Sequence, residues 1–351
     1  MRREFRDRDY IRTKENFFFC VVGPYHPPDR VISYVKYIPA RSGRWVYGKT
    51  PLKRILKDYT IPSLLETFIL LRDTYPHYLF YSDVYGIEMS AVPKEFISKH
   101  YIPERKLEVL FHKSKPDKLQ RLVTEFVSSL SEISGVPKSE FGVTGSVLLD
   151  IHNPEFSDID LTVYGRRNSV ALKRALREAS AKSEKGISCL AGKELEVWCE
   201  RKTKTYPLNK AVAMSLYLRK WNIGKFYGTN FSIHPVKTEE EVGDKYGDKN
   251  YVALGELTIR ATISEDLDSM FLPAVYEVGD VDVVCGGSEV DVESVVSYES
   301  LYADLAGKGE RIEARGKLEK VTDNRNDRVS YRVLVGSPQG AGREYIIPTS
   351  L

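Results

Sequence analysis

Cysteine is scarce in this chain, and the spacing of the few cysteines excludes the common cysteine-based sites. Only four of the 351 residues are cysteine, none forms a Cys-x-x-Cys pair, and none lies near a histidine at zinc-finger spacing. A structural zinc site is therefore not expected. Single cysteines in apolar, strand-like runs such as FFFCVVG are typical of small core residues.

Long apolar runs are also missing. No segment approaches the roughly 20 consecutive apolar residues that a membrane-spanning helix needs. The N-terminal stretch MRREFRDRDYIRTKE is charged and lacks the apolar centre of a signal peptide. We therefore expect a soluble, cytoplasmic protein with no membrane partner. The net charge of +3 is too small to require a nucleic-acid partner by itself.

The composition that remains is that of a folded protein. Hydrophobic residues make up 42% of the chain and charged residues 29%, which is enough apolar material for a sizeable core. A chain of this length is expected to form two or three domains. Residues 1–112 predict an α+β domain, because strand-like runs such as RVISYVKYIP precede helical spacing in IPSLLETFILLRDTY.

The rest of the chain divides into three further segments. Residues 113–205 predict a compact α/β (α+β) core with the order helix, strand, short helix, strand, helix, strand, and ELEVWCE is its last strand. Residues 206–227 predict a basic helical connector. Residues 228–351 predict an all-β domain, a small barrel or a sandwich, because runs such as YVALGELTIRATIS and RVSYRVLVG alternate.

Two aspartates interrupt a run that otherwise reads as a buried strand. In SDIDLTV, Asp158 and Asp160 are two positions apart, which places both carboxylates on one face of a strand and Ile159 and Leu161 on the other. Two ionised carboxylates side by side repel each other and need a compensating charge. A divalent cation supplies that charge, and oxygen ligands suit Mg²⁺ or Mn²⁺.

A glycine and a serine precede this strand in TGS. Gly145 allows the backbone to approach a ligand closely, and free N–H groups at the start of a following helix can face a phosphate. Carboxylates for a metal beside a phosphate cradle are the parts that phosphoryl or nucleotidyl transfer needs, since that chemistry depends on positioning and charge neutralisation.

The stretch GSVLLDIHNPEFSDIDLTV resembles the signature of the DNA polymerase β-type nucleotidyltransferase superfamily. The shared pattern is a small-residue pair after an apolar strand, a spacer of about a dozen residues, and two acidic residues around one apolar residue. The resemblance covers residues 113–202 and extends to archaeal predicted nucleotidyltransferases with extra flanking domains. It implies a nucleotidyltransferase-like core that moves a nucleoside monophosphate from a nucleoside triphosphate, such as ATP, to an acceptor and releases pyrophosphate.

The resemblance also implies a role for each residue that matches the signature. Asp158 and Asp160 would bind the metal and act in catalysis. The family usually has a third carboxylate on a neighbouring strand, and Glu196 in ELEVWCE fits this place best, as a catalytic and metal-binding residue, with Glu194 on the same predicted strand face as the alternative. Gly145 and Ser146 would bind the triphosphate of the nucleotide. Apart from the resemblance, Ser157 next to Asp158 and Arg166 just after the aspartate strand are further candidates for nucleotide binding.

A second hypothesis retains the predicted fold but assigns it no catalytic activity. A catalytically inactive nucleotidyltransferase-fold protein would bind nucleic acid through its C-terminal β domain and a cluster of basic and aromatic residues, although a solvated helix face explains the cluster equally well. The third carboxylate separates the two hypotheses. The acceptor (RNA, DNA, protein or small molecule), the nucleotide and the oligomeric state stay open. The cluster contains Lys202, Lys204, Lys210, Arg219, Lys220, Lys225, Tyr206, Trp221, Phe226 and Tyr227.

Overall fold

A computed structural model describes residues 3–56, 60–286 and 290–349. Within these ranges the strands form three sheets, and each sheet is associated with at least one buried apolar cluster. No helix in the same ranges is both long enough and apolar enough to cross a membrane.

The first sheet is built from the N-terminal residues and has the strand order β4-β5-β3-β2-β1-β8, with β7 pairing with β3 and with β6. The predicted helix is present as α1, which begins after Thr60, whose side chain accepts a hydrogen bond from the Ser63 N–H. The elements are β1 Tyr10–Thr13, β2 Phe18–Val21, β3 Arg30–Pro39, β4 Trp45–Tyr47, β5 Thr50–Arg54, α1 Ile61–Thr74, β6 Leu79–Ser82, β7 Ile87–Pro93 and β8 Ile97–Tyr101.

Strands β4 and β5 form a hairpin at one edge of this sheet. Its two-residue turn begins with Gly48, which has a φ of 61°, a backbone conformation that favours glycine. Just before β4, a Cβ atom on Gly43 would lie 2.1 Å from the Leu52 carbonyl oxygen, so only glycine fits there. Leu52 is buried together with Leu148 and Ile151 from the middle of the chain. The hairpin is therefore packed against the segment that follows Ser146.

The middle sheet has the order β11-β12-β13-β10-β9, with β13 parallel to β10 and β9 antiparallel to it. Its elements and helices are α2 Pro103–Phe111, α3 Lys118–Ser134, β9 Phe141–Val143, α4 Gly145–Leu148, β10 Ile159–Tyr164, α5 Arg166–Lys182, β11 Ile187–Ser188, α6 Gly192–Thr205, α7 Lys210–Arg219, β12 Ile223–Phe226 and β13 Thr229–Val236.

Helix α3 anchors the core of the middle sheet. Asp117 and Gln120 form a capping box at its start, and Gly135 ends it in the left-handed conformation with a φ of 71°. The ring of Phe126 stacks on Phe226 with the ring centroids 4.6 Å apart. Because both rings are fully buried, truncation of Phe126 to alanine is expected to cost about 3 to 5 kcal/mol of folding free energy.

Two parts of the sequence prediction for the middle segment are wrong. The stretch ELEVWCE is helical and lies in α6, where Cys199 is buried and Trp198 packs against the Tyr217 ring of α7. Strands β12 and β13 pair into the middle sheet, although residues up to 227 were predicted as a connector and residues from 228 as part of the β domain. The parallel pairing of β13 with β10 is non-local and leaves no local mark in the sequence.

The third sheet closes into a barrel. Strand β14 pairs with both β15 and β17, β16 runs parallel to β18, and β18 returns to β17. This closed path is the strand order of the OB fold, a Greek-key barrel that binds oligonucleotides or oligosaccharides in other proteins. Of the two predicted alternatives, the barrel is present. The strands are β14 Lys249–Glu265, β15 Ala274–Cys285, β16 Val292–Ser297, β17 Arg311–Asp323, β18 Arg328–Val335 and β19 Tyr345–Pro348.

Candidate active site

Asp158 and Asp160 lie side by side at the beginning of β10. Asp160 Oδ1 accepts a hydrogen bond of 2.6 Å from Ser232 Oγ, and Asp158 Oδ1 accepts one of 3.3 Å from Asn230 Nδ2. Asn230 and Ser232 are two positions apart on β13, so these contacts place both carboxylates on the same face of the sheet. On the other face, Ile159 is fully buried. The geometry expected from the spacing of the two aspartates is present.

Gly145 lies directly against the second of these carboxylates. Its φ is 66°, and a Cβ atom added to it would be 2.3 Å from Asp160 Oδ2. The preceding residue, Thr144, donates its backbone N–H to the Asp160 carbonyl oxygen at 2.9 Å, which holds the bend against β10. Ser146 follows in α4. Only glycine has both the backbone freedom and the small size that this position requires.

The two carboxylates repel each other. Asp158 retains access to solvent, yet partial desolvation by the surrounding protein and then the charge of Asp160 raise the pKa of Asp158. A hydrogen bond from Asn230 and the positive charges of Arg54 and Arg201 act in the opposite direction but do not cancel the effect. Arg54 is at the end of β5 and Arg201 is on α6, so two other parts of the fold bring cations toward the aspartates.

The donor set fits a small divalent cation. Mg²⁺ is commonly held by one or two carboxylates together with substrate phosphates and water rather than by a complete protein cage. Asp158 and Asp160 provide two carboxylates whose mutual repulsion a cation would relieve, and Asp158 is reachable from solvent. The close approach of Gly145 leaves a backbone rather than a side chain beside the Asp160 carboxylate.

This combination of strand, glycine bend and paired aspartates agrees with the comparison to known families. Residues 123–217 match the model of the nucleotidyltransferase domain. The resemblance seen in the sequence is thereby confirmed. Over 343 residues the chain is also 28% identical to an uncharacterized protein of Methanocaldococcus jannaschii, an alignment that covers 97% of this chain and 98% of that protein. No solved structure matches the chain.

The strand that runs parallel to β10 does not provide the expected third carboxylate. That strand is β13, and the residues it places along the carboxylate side are Asn230, Ser232 and His234, where Ser232 is directly opposite Asp160. Over the described ranges, no group of three or more His, Cys, Asp or Glu side chains is placed to hold a metal ion. Among the described residues, a cation at this site would therefore be held by the two carboxylates of Asp158 and Asp160.

A partly buried histidine contacts the serine. His234 Nε2 lies 3.0 Å from Ser232 Oγ. Burial, and then the positive charges of Arg8 and Lys36, hold the pKa of His234 well below its usual range, so the ring is neutral at pH 7. Since Ser232 gives its one hydroxyl hydrogen to Asp160, the contact requires His234 Nε2 to carry the proton and donate it to the serine oxygen. The chain His234–Ser232–Asp160 fixes the orientation of the Asp160 carboxylate.

Glu196 and Glu194 are not on a strand beside the aspartates. Both are exposed residues of the first half of α6, and Glu194 forms an ion pair with Lys225. The same helix sends Arg201, a cation, toward Asp158. The predicted strand location of Glu196 is wrong, and its predicted place as a third metal ligand has no support in the metal-ligand geometry of the described residues.

The remaining predicted nucleotide-binding residues have different locations. Ser157 directly precedes Asp158, and its hydroxyl accepts a hydrogen bond of 3.0 Å from the Asn153 N–H, so it holds the spacer loop in shape. Arg166 follows the opposite end of β10, and it contacts Asp268 at 2.5 Å. Six strand residues span about 20 Å, which separates Arg166 from the aspartates. The prediction that Arg166 contacts the nucleotide is not supported by this placement.

Most of the predicted basic and aromatic cluster serves internal packing. Tyr206, Trp221 and Phe226 are buried, and Trp221 Nε1 donates a hydrogen bond of 2.6 Å to Asp304. Three of the four aromatic residues are therefore unavailable for stacking on bases, whereas Tyr227 is exposed. Several basic members are also occupied by partners within the protein: Arg219 contacts Glu310, Lys220 contacts the Ala303 carbonyl oxygen, and Lys225 contacts Glu194.

Sequence reasoning missed Arg54, Arg201 and the polar face of β13. The alternation in NFSIHPV, with Asn230, Ser232 and His234 on one face and buried Phe231 and Ile233 on the other, was the available signal for a strand next to a site.

Proposed function

We propose that this protein is a divalent-metal-dependent nucleotidyltransferase. Asp158 and Asp160 hold Mg²⁺ or Mn²⁺, the segment at Gly145 and Ser146 receives the phosphates of a nucleoside triphosphate such as ATP, and a nucleoside monophosphate passes to an acceptor hydroxyl. The single observation that carries the proposal is the contact between the Gly145 bend and the Asp160 carboxylate, beside the second carboxylate of Asp158.

The proposed reaction is a phosphoryl-group displacement. The acceptor hydroxyl oxygen forms a bond to the α-phosphorus, the bond from that phosphorus to the bridging oxygen of the β-phosphate breaks, pyrophosphate leaves, and the hydroxyl proton passes to solvent water. A bound divalent cation supplies charge neutralisation for the phosphate oxygens. With Ser232 hydrogen-bonded to Asp160, the strand beside β10 provides no carboxylate to take the proton.

The protein side chains contribute orientation and charge. Ser232 and His234 keep Asp160 in one orientation, and Asn230 does the same for Asp158. Arg54 and Arg201 place positive charge beside Asp158, where the triphosphate would lie in this proposal. Arginine suits this task because its guanidinium presents several fixed N–H donors to phosphate oxygens.

The absent third carboxylate favours a second candidate function. A domain with two carboxylates can bind a metal–nucleotide complex without turning it over, and the protein would then act as a nucleotide-dependent binding protein. This candidate predicts metal-dependent nucleotide binding without release of pyrophosphate. The localisation in the cytoplasm and the choice of nucleotide remain predictions.

The test combines a binding measurement with a turnover measurement. The wild-type protein is expected to show a higher melting temperature with Mg²⁺ and ATP together, because a ligand that binds only the folded state stabilises it. Asp158→Asn combined with Asp160→Asn is expected to abolish this increase. A matched control is Asp280→Asn with Asp282→Asn, which removes two exposed carboxylates at the same two-residue spacing on β15.

The melting-temperature and pyrophosphate measurements together distinguish the transferase from the binding protein. Pyrophosphate release from a mixture of nucleoside triphosphates and cell extract, lost in the Asp158/Asp160 variant, supports the transferase. A melting-temperature increase without pyrophosphate release supports the binding protein. If no nucleoside triphosphate with Mg²⁺ or Mn²⁺ changes the melting temperature of the wild-type protein, both candidates are wrong.

A further inference from the structure

The hairpin at the edge of the first sheet carries positive charge only. Residues 30–56 contain seven Lys and Arg residues and no Asp or Glu. Five of the seven lie in residues 41–54, which include β4, β5 and the loop before them, and which we call the basic ribbon. The basic residues of this ribbon are Arg41, Arg44, Lys49, Lys53 and Arg54.

Four of these side chains are exposed and have no neutralising partner nearby. Arg41, Arg44, Lys49 and Lys53 are solvent-exposed, and within residues 3–56, 60–286 and 290–349 none of them forms an ion pair with a carboxylate. Several positive side chains on one surface, without carboxylates paired to them, create a local positive potential that attracts polyanions. The basic ribbon therefore has a charge pattern that the overall charge of the protein does not reveal.

The C-terminal barrel shows the opposite arrangement, although its strand order is that of a fold that binds oligonucleotides in other proteins. Its outward-facing arginines are paired with carboxylates on neighbouring strands, and β15 additionally exposes Glu277 and Asp280. These ion pairs cancel most of the positive potential that a phosphate backbone requires. The pairs are Arg260–Glu313 at 2.9 Å, Arg315–Glu256 at 2.5 Å, Arg328–Glu293 at 2.6 Å and Arg311–Asp282.

The basic ribbon contacts the segment that precedes the paired aspartates. The Arg44 guanidinium lies 3.5 Å from the centre of the Phe156 ring, and Phe156 is two residues before Asp158. Leu52 anchors β5 on Leu148, close to the Gly145 bend in the chain. The stacked arginine keeps its N–H edge available for phosphate oxygens while its face is occupied by the ring. A chain of phosphates on the ribbon would therefore pass beside the segment that carries the aspartates.

We propose that the basic ribbon binds the phosphodiester backbone of a single nucleic-acid strand and directs the terminal hydroxyl of that strand to Asp158 and Asp160. The role as acceptor rests on the transferase function proposed above, whereas binding to the ribbon does not. A small acceptor would need only the cations next to the aspartates, Arg54 and Arg201, and would leave the four exposed residues of the ribbon without a ligand.

The test measures binding without nucleotide or metal. Fluorescence anisotropy of a short labelled oligoribonucleotide is recorded over a range of salt concentrations for the wild type, a ribbon variant and a barrel variant. The ribbon variant carries Arg41→Ala, Arg44→Ala, Lys49→Ala and Lys53→Ala. The barrel variant carries Arg260→Ala, Arg311→Ala, Arg315→Ala and Arg328→Ala, so both lose the same number of positive charges.

The ribbon variant is expected to bind at least about tenfold more weakly at low salt. Its log–log salt slope is expected to fall by about 1 for each phosphate that the protein no longer neutralises. The barrel variant is expected to keep the wild-type affinity. Both variants alter exposed side chains, and melting temperatures verify that they fold. If the ribbon variant does not fold, Lys49→Glu at the turn of the hairpin provides the same comparison with a single exposed change.

Three outcomes would overturn the proposal: no binding by the wild type at low salt, equal weakening by the barrel variant, or preference for a duplex or for polyglutamate over the single strand. An oligodeoxyribonucleotide distinguishes RNA from DNA, and binding of either one through the ribbon supports it. The metal–ATP increase in melting temperature should persist in the ribbon variant. If that increase is absent from the wild type while the ribbon still binds the strand, the transferase function fails and the binding surface remains.

Discussion

Asp160 on β10 and Ser232 on β13 face each other across a parallel strand pair, and Ser232 Oγ donates a hydrogen bond of 2.6 Å to Asp160 Oδ1. A serine thus stands on the neighbouring strand where the family resemblance implies a carboxylate. The hydroxyl compensates part of the charge on Asp160 without adding a metal ligand. This pair therefore determines how many carboxylates surround a cation at the candidate site.

Replacing Ser232 by aspartate should create a stronger metal site. Without metal, a third negative charge beside Asp158 and Asp160 is expected to lower the free energy of unfolding by about 1 to 3 kcal/mol. Mg²⁺ should raise the melting temperature of this variant by more than it raises that of the wild type, because the cation is then bound by three carboxylates. Melting curves with and without Mg²⁺ measure both effects. Ser264→Asp, on an exposed strand position of the barrel, is the control, and an equal response to Mg²⁺ in both variants would contradict the prediction.

Replacing Gly145 by alanine should displace the Asp160 carboxylate. The new Cβ atom would lie 2.3 Å from Asp160 Oδ2, in addition to the strain of a φ of 66°. The metal–ATP increase in melting temperature is expected to disappear, with about 1 to 3 kcal/mol lost in stability. Gly135→Ala is a matched control, because its φ is 71° and no atom lies within 4 Å of the added Cβ. It should cost stability but leave the response to metal and ATP unchanged.

Replacing Glu196 by glutamine should leave nucleotide binding intact. Glu196 is an exposed residue of α6 and belongs to no described cluster of metal-binding side chains. Asp160→Asn, measured in the same way, should lose the metal–ATP increase in melting temperature. A folded Glu196→Gln protein that has lost this response would show that α6 brings its glutamate to the metal in the bound state.

Asp117 should make the stability of the protein depend on pH in the acid range. Desolvation opposes ionisation, but the hydrogen bonds from the Gln120 N–H and His152 prevail and lower the pKa of Asp117 in the folded protein. A carboxyl whose pKa is lowered on folding stabilises the protein above its unfolded pKa of about 3.9, and this contribution disappears as the pH falls through the lower folded pKa.

The variant Asp117→Asn isolates that contribution. Asparagine retains the ability to cap α3 but carries no charge, so the wild type should be more stable by about 0.5 to 1 kcal/mol at pH 7. Urea unfolding from pH 7 to the acid range measures the difference, which should shrink as the pH falls below about 4. A difference that is constant over the whole range would show that the charge of Asp117 contributes nothing.

The sequence pattern was sufficient to predict a structural feature wherever that feature depends on residues close together in the chain. Alternation on a strand puts Asp158 and Asp160 on one face whatever surrounds them, and the requirement for a small residue at Gly145 follows from a sharp bend between an apolar strand and a helix. The barrel strands were likewise visible as alternating runs. These features depend on neighbours within a few residues along the chain.

The sequence pattern did not predict the structure correctly where a residue's contacts come from distant parts of the chain. ELEVWCE alternates well enough for a strand, but it forms a helix whose Trp198 packs against the Tyr217 ring of α7. The parallel pairing of β13 with β10 crosses some seventy residues, so nothing near Ser232 indicates that it faces Asp160. Arg166 lies beyond the other end of β10, where it forms an ion pair with Asp268, a residue about a hundred positions away in the chain.

The sequence by itself determined that two carboxylates share a face next to a glycine bend, because backbone geometry dictates side-chain direction within a strand. Only the tertiary structure decided what surrounds them: a serine and a histidine on β13, arginines from β5 and α6, and a hairpin with exposed cations beside Phe156. Those neighbours come together through long-range packing of apolar faces, and such packing specifies contacts that no short stretch of sequence contains.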